Sequence, residues 1–127
     1  MTTIRVLLAD DSETLRRAVK AVLRSEPSIV VVGEVCSYQE LVAALRQLQV
    51  DVVVMDVHMP DSAQIEPASI KAQLSTQCLL AISFANDEGT ANHAKDYGAY
   101  RLLDKVELAT TLIPAIIDCQ KTTAQRA

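Results

Sequence analysis

The segment DVVVMD, residues 51–56, is the most informative stretch of this chain for the fold. Its four central residues are all apolar and mostly β-branched, with no polar residue alternating between them. A continuous apolar run of this kind is typical of a strand that is buried on both faces, as in the centre of a parallel sheet. The run ends on Asp56, so the sequence places a carboxylate where the buried strand stops.

Four further strand-like segments lie on either side of this one. They are IRVLLA (4–9), IVVVGEV (29–35), CLLAIS (78–83) and the shorter RLLD (101–104). Between them lie segments with helical periodicity, so that predicted strands and helices alternate. This alternation favours a parallel sheet with helices on both faces. We therefore predict an α/β fold, a single doubly wound (βα)5 domain with a five-stranded parallel sheet.

The first two helical segments have the clearest patterns. The four segments before the last are residues 12–26, 37–48, 67–74 and 86–98. The second opens with Ser37 and Glu40 at capping-box spacing, and Pro67 is acceptable in the first turn of the third. Gly98 is placed to end the fourth helix at a C′ position.

The last helix is predicted to begin late because of Pro114. A proline inside a helix clashes with the preceding turn, whereas a proline in the first turn needs no amide. A cap at Thr110 or Thr111 would put Pro114 in that first turn. Residues 1–122 then form the domain, residues 123–127 form a short frayed tail, and we expect no output domain in this chain.

Composition narrows the possible function classes. The 127 residues fit one domain, and the net charge of −4 comes without a run of Lys or Arg, which argues against direct binding of nucleic acid. No apolar run reaches the roughly 18 residues needed to cross a bilayer, and the N-terminus lacks the pattern of a secretory signal, so we expect a cytoplasmic protein without membrane contact. The three cysteines, Cys36, Cys78 and Cys119, are widely spaced, which favours ordinary thiols over a redox or metal site.

The residues that carry chemistry follow the predicted strands. They are Asp10 and Asp11 after the first strand, Asp56 at the end of the third, Ser83 at the end of the fourth and Lys105 after the fifth. In open α/β sheets the ligand crevice lies at the carboxyl ends of the strands, so these side chains are expected to converge.

Three converging carboxylates require a counter-charge, and oxygen ligands of this kind select Mg²⁺ or Mn²⁺. Once the charge is screened, a carboxylate can attack a phosphoryl group, and Asp56 is the best candidate nucleophile. Lys105 and the Ser83 hydroxyl would stabilise the oxygens of the transferred group. Taken singly, each residue also has a plain structural interpretation as a strand-end carboxylate or helix cap, a solvated lysine or an ordinary hydroxyl.

In this order and spacing the residues resemble the receiver domain of two-component response regulators, over essentially the whole chain. The matching pieces are ADDS (9–12), MDVHMP (55–60), Ser83, and GAYRLLDK (98–105). The segment SEPSIVVVGEV (25–35) is similar to receivers that are usually attached to helix-turn-helix output domains. The resemblance implies the flavodoxin- or CheY-like fold with strand order 2-1-3-4-5.

The resemblance also implies a phosphorylation switch rather than an enzyme with a separate substrate. A sensor histidine kinase or a His-containing phosphotransfer protein would transfer a phosphoryl group to Asp56. Mg²⁺ would be held by Asp11, Asp56 and the backbone carbonyl of His58, with Asp10 assisting through water. The switched surface would bind a downstream protein that the sequence does not identify, with the chain a monomer or a weak homodimer.

Four positions depart from the family pattern. Leu102 occupies the usual aromatic switch position, which leaves two alternatives for Tyr100: a substitute for that aromatic or a plain surface residue. Phe84 stands where a small residue is usual, and it either narrows access to the site or packs outward. Gln64 replaces a frequent glycine, and Val106 replaces the proline that often follows the lysine, which removes an expected cis peptide.

These departures leave a second hypothesis open, a receiver that acts as a phosphorylation-independent binding module. A flavin carrier or a Mg²⁺-dependent phosphatase on the same architecture is disfavoured. The chain has three glycines, one phenylalanine and no tryptophan, which is a poor supply for a phosphate loop or for flavin stacking.

Overall fold

The computed structural model describes residues 3–126, along which five strands alternate with five helices. The strands are β1 (Ile4–Ala9), β2 (Ile29–Val35), β3 (Val52–Asp56), β4 (Cys78–Ser83) and β5 (Arg101–Asp104). The helices are α1 (Glu13–Leu23), α2 (Tyr38–Gln47), α3 (Pro67–Gln73), α4 (Glu88–Asp96) and α5 (Leu108–Arg126). Short 3₁₀ turns at Ser62–Gln64 and Lys105–Glu107 precede α3 and α5.

The strands form one parallel sheet in the order β2-β1-β3-β4-β5. This arrangement confirms the predicted fold class, and the strand order agrees with the one that the resemblance implied. The central strand β3 is buried along its whole length, as its continuous apolar run predicts.

Side chains alternate between two apolar layers on either side of the sheet. Val6 and Leu8 of β1 pack in one layer with residues of α1 and α5, including Val19 and Leu112. The neighbouring Leu7 packs in the other layer, with residues of α2 and α3 and with Tyr97, which directly follows α4. Helices therefore cover both faces, and the edge formed by the carboxyl ends of the strands stays open for a site.

Helix ends follow the local sequence signals. The Ser12 hydroxyl accepts a hydrogen bond from Leu15 N, and the Ser37 hydroxyl accepts one from Glu40 N. Glu40 reaches back to accept from a backbone amide before the helix. At the end of α4, Gly98 has a φ of 86°, the left-handed conformation expected of a C′ glycine.

The predicted late start of the last helix is wrong. The helix α5 begins at Leu108, and Pro114 lies inside it with its ring exposed. The reason is that Asp104 caps the preceding 3₁₀ turn, so the chain enters α5 before either threonine. The hydroxyls of Thr110 and Thr111 instead donate back to a carbonyl of that turn.

The boundary between domain and tail remains a prediction. The helix α5 includes residues 123–126 of the segment predicted to fray, and Ala127 lies outside the described residues. None of the helices in the described part of the chain combines the length and apolar character that a bilayer span requires.

The cysteines correct a further prediction. Cys78 and Cys119 form a disulfide with their Cα atoms 5.8 Å apart, whereas Cys36 is free and exposed. The pairing was not predictable from spacing, because 41 residues separate the two cysteines and only the packing of α5 on β4 brings them together.

Candidate functional site

The acidic and basic side chains selected from the sequence meet at the carboxyl edge of the sheet. Asp10 directly follows β1, Asp56 and Ser83 are the last residues of β3 and β4, and Lys105 directly follows β5. Three of these side chains, Asp10, Asp56 and Ser83, are buried. The parallel register alone places these strand ends side by side.

Lys105 connects the two buried carboxylates. Its ammonium Nζ lies 2.7 Å from Asp10 Oδ2 and 3.4 Å from Asp56 Oδ2, and only 7% of its side chain is exposed. Burying two carboxylates together is unfavourable unless a cation offsets their charge. Lys105 therefore supplies the positive charge that holds the pair in place.

Asp10 is oriented by the start of α1. Its Oδ1 accepts a hydrogen bond of 2.8 Å from Ser12 N, and its carbonyl accepts one of 2.6 Å from the Arg16 guanidinium. Its Oδ2 contacts the Lys105 ammonium at 2.7 Å and has no other polar partner among the described residues. A buried carboxylate oxygen in this state has a free lone pair available for a cation.

Asp56 is held in a similar way. Its Oδ1 accepts a hydrogen bond of 2.9 Å from His58 N, which leaves Oδ2 toward Lys105. Burial raises the pKa of Asp56 above the usual 3.8, an effect that the His58 amide and Lys105 oppose and that Asp10 reinforces. A more basic carboxylate is a better nucleophile, so the environment suits Asp56 to attack an electrophile.

A divalent cation fits the donor set. Asp10, Asp11 and Asp56 each present an oxygen within 4.8 Å of the others, and Asp11 is exposed where the other two are buried. Hard oxygen donors with an open side toward water are what Mg²⁺ requires, because it keeps several waters in its shell. Asp10 Oδ2, which has the Lys105 ammonium as its one polar neighbour among the described residues, agrees with this fit.

Ser83 and His58 also lie at this edge, with other contacts of their own. The Ser83 hydroxyl accepts a hydrogen bond of 3.0 Å from Ala85 N. The His58 ring points to α4, where its Nε2 lies 3.5 Å from Thr90 Oγ1 and its ring centroid lies 6.2 Å from that of His93. His58 thus joins the acidic edge to a helix, a link that the sequence did not indicate.

Two aromatic contacts at the site were also missed. The Tyr38 hydroxyl contacts the carbonyls of Asp56 and Val57 at 3.1 and 2.6 Å, which fixes the backbone at the end of β3. The Phe84 ring is 68% exposed, and its centroid lies 5.1 Å from Lys105 Nζ. In the sequence, the contact of Tyr38 with the end of β3 is indicated only by the presence of a tyrosine directly after the Ser37 cap.

The structure shows the surroundings of the residues that depart from the family pattern. Leu102 is partly buried against a small cluster that includes Ala94 of α4. Tyr100 is 38% exposed and hydrogen-bonds through its hydroxyl to Thr122, so it lies on the surface beside α5. Gln64 ends a 3₁₀ turn without a positive φ.

Comparison with known proteins agrees with this geometry. Residues 6–117 match the family model described as the response regulator receiver domain. The protein-glutamate methylesterase/protein-glutamine glutaminase 3 of Syntrophomonas wolfei subsp. wolfei is 35% identical over 104 residues, 80% of this chain and 30% of that protein. The DNA-binding transcriptional activator DevR/DosR of Mycobacterium tuberculosis is 34% identical over 87 residues, 67% of this chain and 40% of that protein.

Solved structures show the same likeness. The response regulator domain of Thermotoga maritima CheB superposes with a TM-score of 0.80 at 26% identity, covering 94% of this chain and 97% of that one. The chain therefore spans nearly all of a solved receiver domain but less than half of the two curated relatives above.

Proposed function

This chain belongs to the family of response regulator receiver domains, and we propose that Asp56 is the residue that accepts its phosphoryl group. The observation that carries the proposal is the pairing of a buried, more basic Asp56 carboxylate with the Lys105 ammonium 3.4 Å away. A nucleophile beside a fixed cation is the arrangement that phosphoryl transfer needs.

In the proposed reaction, an oxygen of Asp56 attacks the phosphorus of a phosphohistidine on a histidine kinase or phosphotransfer protein. The O–P bond forms as the N–P bond breaks, and the imidazole of the donor leaves. Lys105 Nζ is close enough to Asp56 Oδ2 to pair with an oxygen of the attached phosphoryl group. Ser83, on the neighbouring strand end, would donate its hydroxyl to another of these oxygens.

Mg²⁺ would be held by Asp10, Asp11 and Asp56, with the backbone carbonyl of His58 as a further ligand. When bound, the ion supplies positive charge that offsets the carboxylates and the phosphoryl oxygens. The burial of Asp10, whose Oδ2 has Lys105 as its one polar neighbour among the described residues, supports this assignment. Within the residues themselves, Ser12 N and His58 N hold one oxygen of each buried carboxylate, so that the other oxygen faces the site.

We further propose that the domain works in the cytoplasm as a switch for a protein partner. It catalyses only its own phosphorylation and dephosphorylation, binds no nucleic acid directly and is a monomer or a weak homodimer. The phosphoryl group would act by favouring one of two packings of the surface around α4, β5 and α5. Both kinds of output in the named relatives, a methylesterase and a DNA-binding activator, are compatible with this role.

The direct test is phosphorylation of the purified chain by a small phosphodonor with Mg²⁺. We expect wild type to gain one acid-stable, hydroxylamine-labile phosphoryl group, and the Asp56→Asn variant to gain none, because an amide is not a nucleophile for this step. The matched control is Asp96→Asn, an exposed aspartate of α4, which should label like wild type. Full labelling of Asp56→Asn would overturn the assignment.

A further inference from the structure

A second chemical feature lies at the opposite end of β4 from the phosphorylation site. Cys78 is the first residue of this strand and Ser83 the last, a separation of roughly 17 Å along the strand. Cys78 is bonded to Cys119 of α5. The disulfide therefore joins a central strand to the helix that covers it.

A cleft lies beside one of the two cysteines. It has a volume of about 520 Å³ and is lined mainly by polar residues around Cys78, among them Lys71, Tyr100 and Thr122. Cys78 is 7% exposed, whereas Cys119 is fully buried. A small thiol or disulfide that enters this cleft would meet Cys78 first, and the neighbouring lysine would attract its carboxylates.

The proposed cytoplasmic location bears on the role of this disulfide. In a reducing compartment, such as the cytoplasm proposed above, stable disulfides are rare and those that form are mostly transient or redox-sensing. The pair closes a long loop between positions 41 residues apart, so its formation restricts the chain considerably. A bond of this kind can report the redox state if both of its forms are folded.

We propose that Cys78 and Cys119 form a reversible redox site that anchors α5 to β4 when it is oxidised and releases this anchor when it is reduced. The exchanging partner is a low-molecular-weight disulfide such as glutathione disulfide. Apolar packing also holds this part of α5, since Ile116 is fully buried in the layer that covers the sheet, whereas Arg101 and Asp118 are 3.7 Å apart and about half exposed. Among the described residues, the bond is the one covalent link between this stretch of α5 and the sheet.

The exchange balances in two steps. The Cys78 thiolate attacks one sulfur of glutathione disulfide, forms a mixed disulfide and releases one glutathione thiolate, which takes up a proton. The Cys119 thiolate then attacks the Cys78 sulfur and releases the second glutathione. The protein loses two electrons and two thiol protons, and one glutathione disulfide becomes two glutathione molecules.

The first test counts thiols in the folded protein, without any phosphodonor, so its result does not depend on the role of Asp56. After incubation with glutathione disulfide and denaturation, we expect at most one alkylated cysteine, because the exposed Cys36 can itself form a mixed disulfide with glutathione, and after incubation with reduced glutathione we expect three. A Cys36→Ser variant should show no alkylated cysteine after the oxidising incubation and two after the reducing one, which excludes disulfides between chains through Cys36. Three labels after the oxidising incubation would overturn the proposal.

A second measurement tests whether glutathione reaches Cys78 through the cleft. We expect reduced glutathione to open the bond under native conditions, and the Cys78→Ser and Cys119→Ser variants to fold with the same far-ultraviolet circular dichroism as reduced wild type. If the bond opens only in denaturant, it is a fixed structural link and the proposal fails.

The anchoring is measured by hydrogen exchange in α5. Reduction should increase the exchange rates of amides around Cys119 roughly tenfold, and either serine variant should match reduced wild type. Amides of β3, whose side chains are all buried, serve as the internal reference. Equal α5 exchange in the oxidised and reduced proteins would show that the bond does not anchor the helix.

Discussion

At the scale of single residues, Lys105 illustrates how far sequence can predict a site. The parallel topology brings Asp10, Asp56 and Lys105 together because each follows a strand, and the sequence alone therefore predicts their convergence. It does not predict that the ammonium lies nearer Asp10 than Asp56. That preference depends on side-chain conformations that no spacing rule encodes.

The central position of Lys105 predicts a stability effect. Lys105→Met removes the cation between two buried carboxylates, so the free energy of unfolding should fall by about 3 kcal/mol at neutral pH without Mg²⁺. Millimolar Mg²⁺ should recover part of this loss, because it can replace the missing charge. Urea denaturation with and without Mg²⁺ measures both effects.

The matched control is Lys95→Met, an exposed lysine of α4 that should change stability by less than about 0.5 kcal/mol. Equal stabilities of the two variants would contradict the role of Lys105 as the counter-charge.

Phe84 offers a second prediction at this scale. The two alternatives left by the sequence, narrowing the site or packing outward, are partly reconciled, because the ring is largely exposed and also lies beside Lys105. We expect Phe84→Ala to shorten the lifetime of the phosphorylated form several-fold, since water gains access to Lys105 and the attached group. Stability should change by only about 1 kcal/mol, as for an exposed cation–π contact.

The decay of radiolabelled protein gives the lifetime. Val106→Ala is the control, because Val106 also adjoins Lys105 and is 77% exposed but has no ring to cover the ammonium. An unchanged lifetime in Phe84→Ala would mean that the ring does not shield the phosphorylated site from water.

At the scale of elements, the sequence predicts strands and early helices well but not the start of α5. Ser12, Ser37 and Gly98 act through local hydrogen bonds and φ values, which their residue types specify. Pro114 misleads because a proline usually lies in the first turn of a helix, whereas here the cap at Asp104 starts the chain into α5 several residues earlier. Tertiary packing of the apolar face of α5 retains the proline within the helix.

The contact between α1 and β2 gives a pH-dependent prediction. Glu34 accepts hydrogen bonds from Lys20 and Arg16 at 2.8 and 3.0 Å, and mainly the bond from Lys20 lowers the pKa of this carboxyl below its usual 4.5. A lowered folded-state pKa means that the stabilisation is fully present above pH 4.5 and is lost as the pH falls through the lower value.

Glu34→Gln should therefore be less stable than wild type by about 1 kcal/mol or less at pH 7, and the difference should disappear in acid. Thermal unfolding from pH 7 down to pH 3 follows this change. Glu66→Gln, at an exposed position, is the control, and its difference in stability from wild type should not change with pH in this way. A difference that persists unchanged at low pH would rule out the charge of Glu34 as its cause.

At the scale of the whole molecule, the alternation of strands and helices predicts the fold because each buried strand needs helices on both faces. The side-chain links between elements were less predictable. The disulfide between Cys78 and Cys119 and the contact of His58 with Thr90 join residues that are distant in sequence. Such links depend on how helices pack on the sheet, and periodicity does not define that packing.

The last prediction concerns how far a change at Asp56 extends through the domain. With Leu102 in place of an aromatic residue, we expect a signal from Asp56 to take another path, and the His58 ring lies beside Thr90 and His93 of α4. Backbone amide spectra with Mg²⁺ and beryllofluoride, which mimics the phosphoryl group, should therefore change at the acidic edge and along α4. His58→Ala should keep the changes at the edge and reduce those in α4 by at least roughly half, since the contact carrying them is removed. Asp56→Asn should show neither, and wild-type changes confined to the acidic edge would instead favour a binding module that does not depend on phosphorylation.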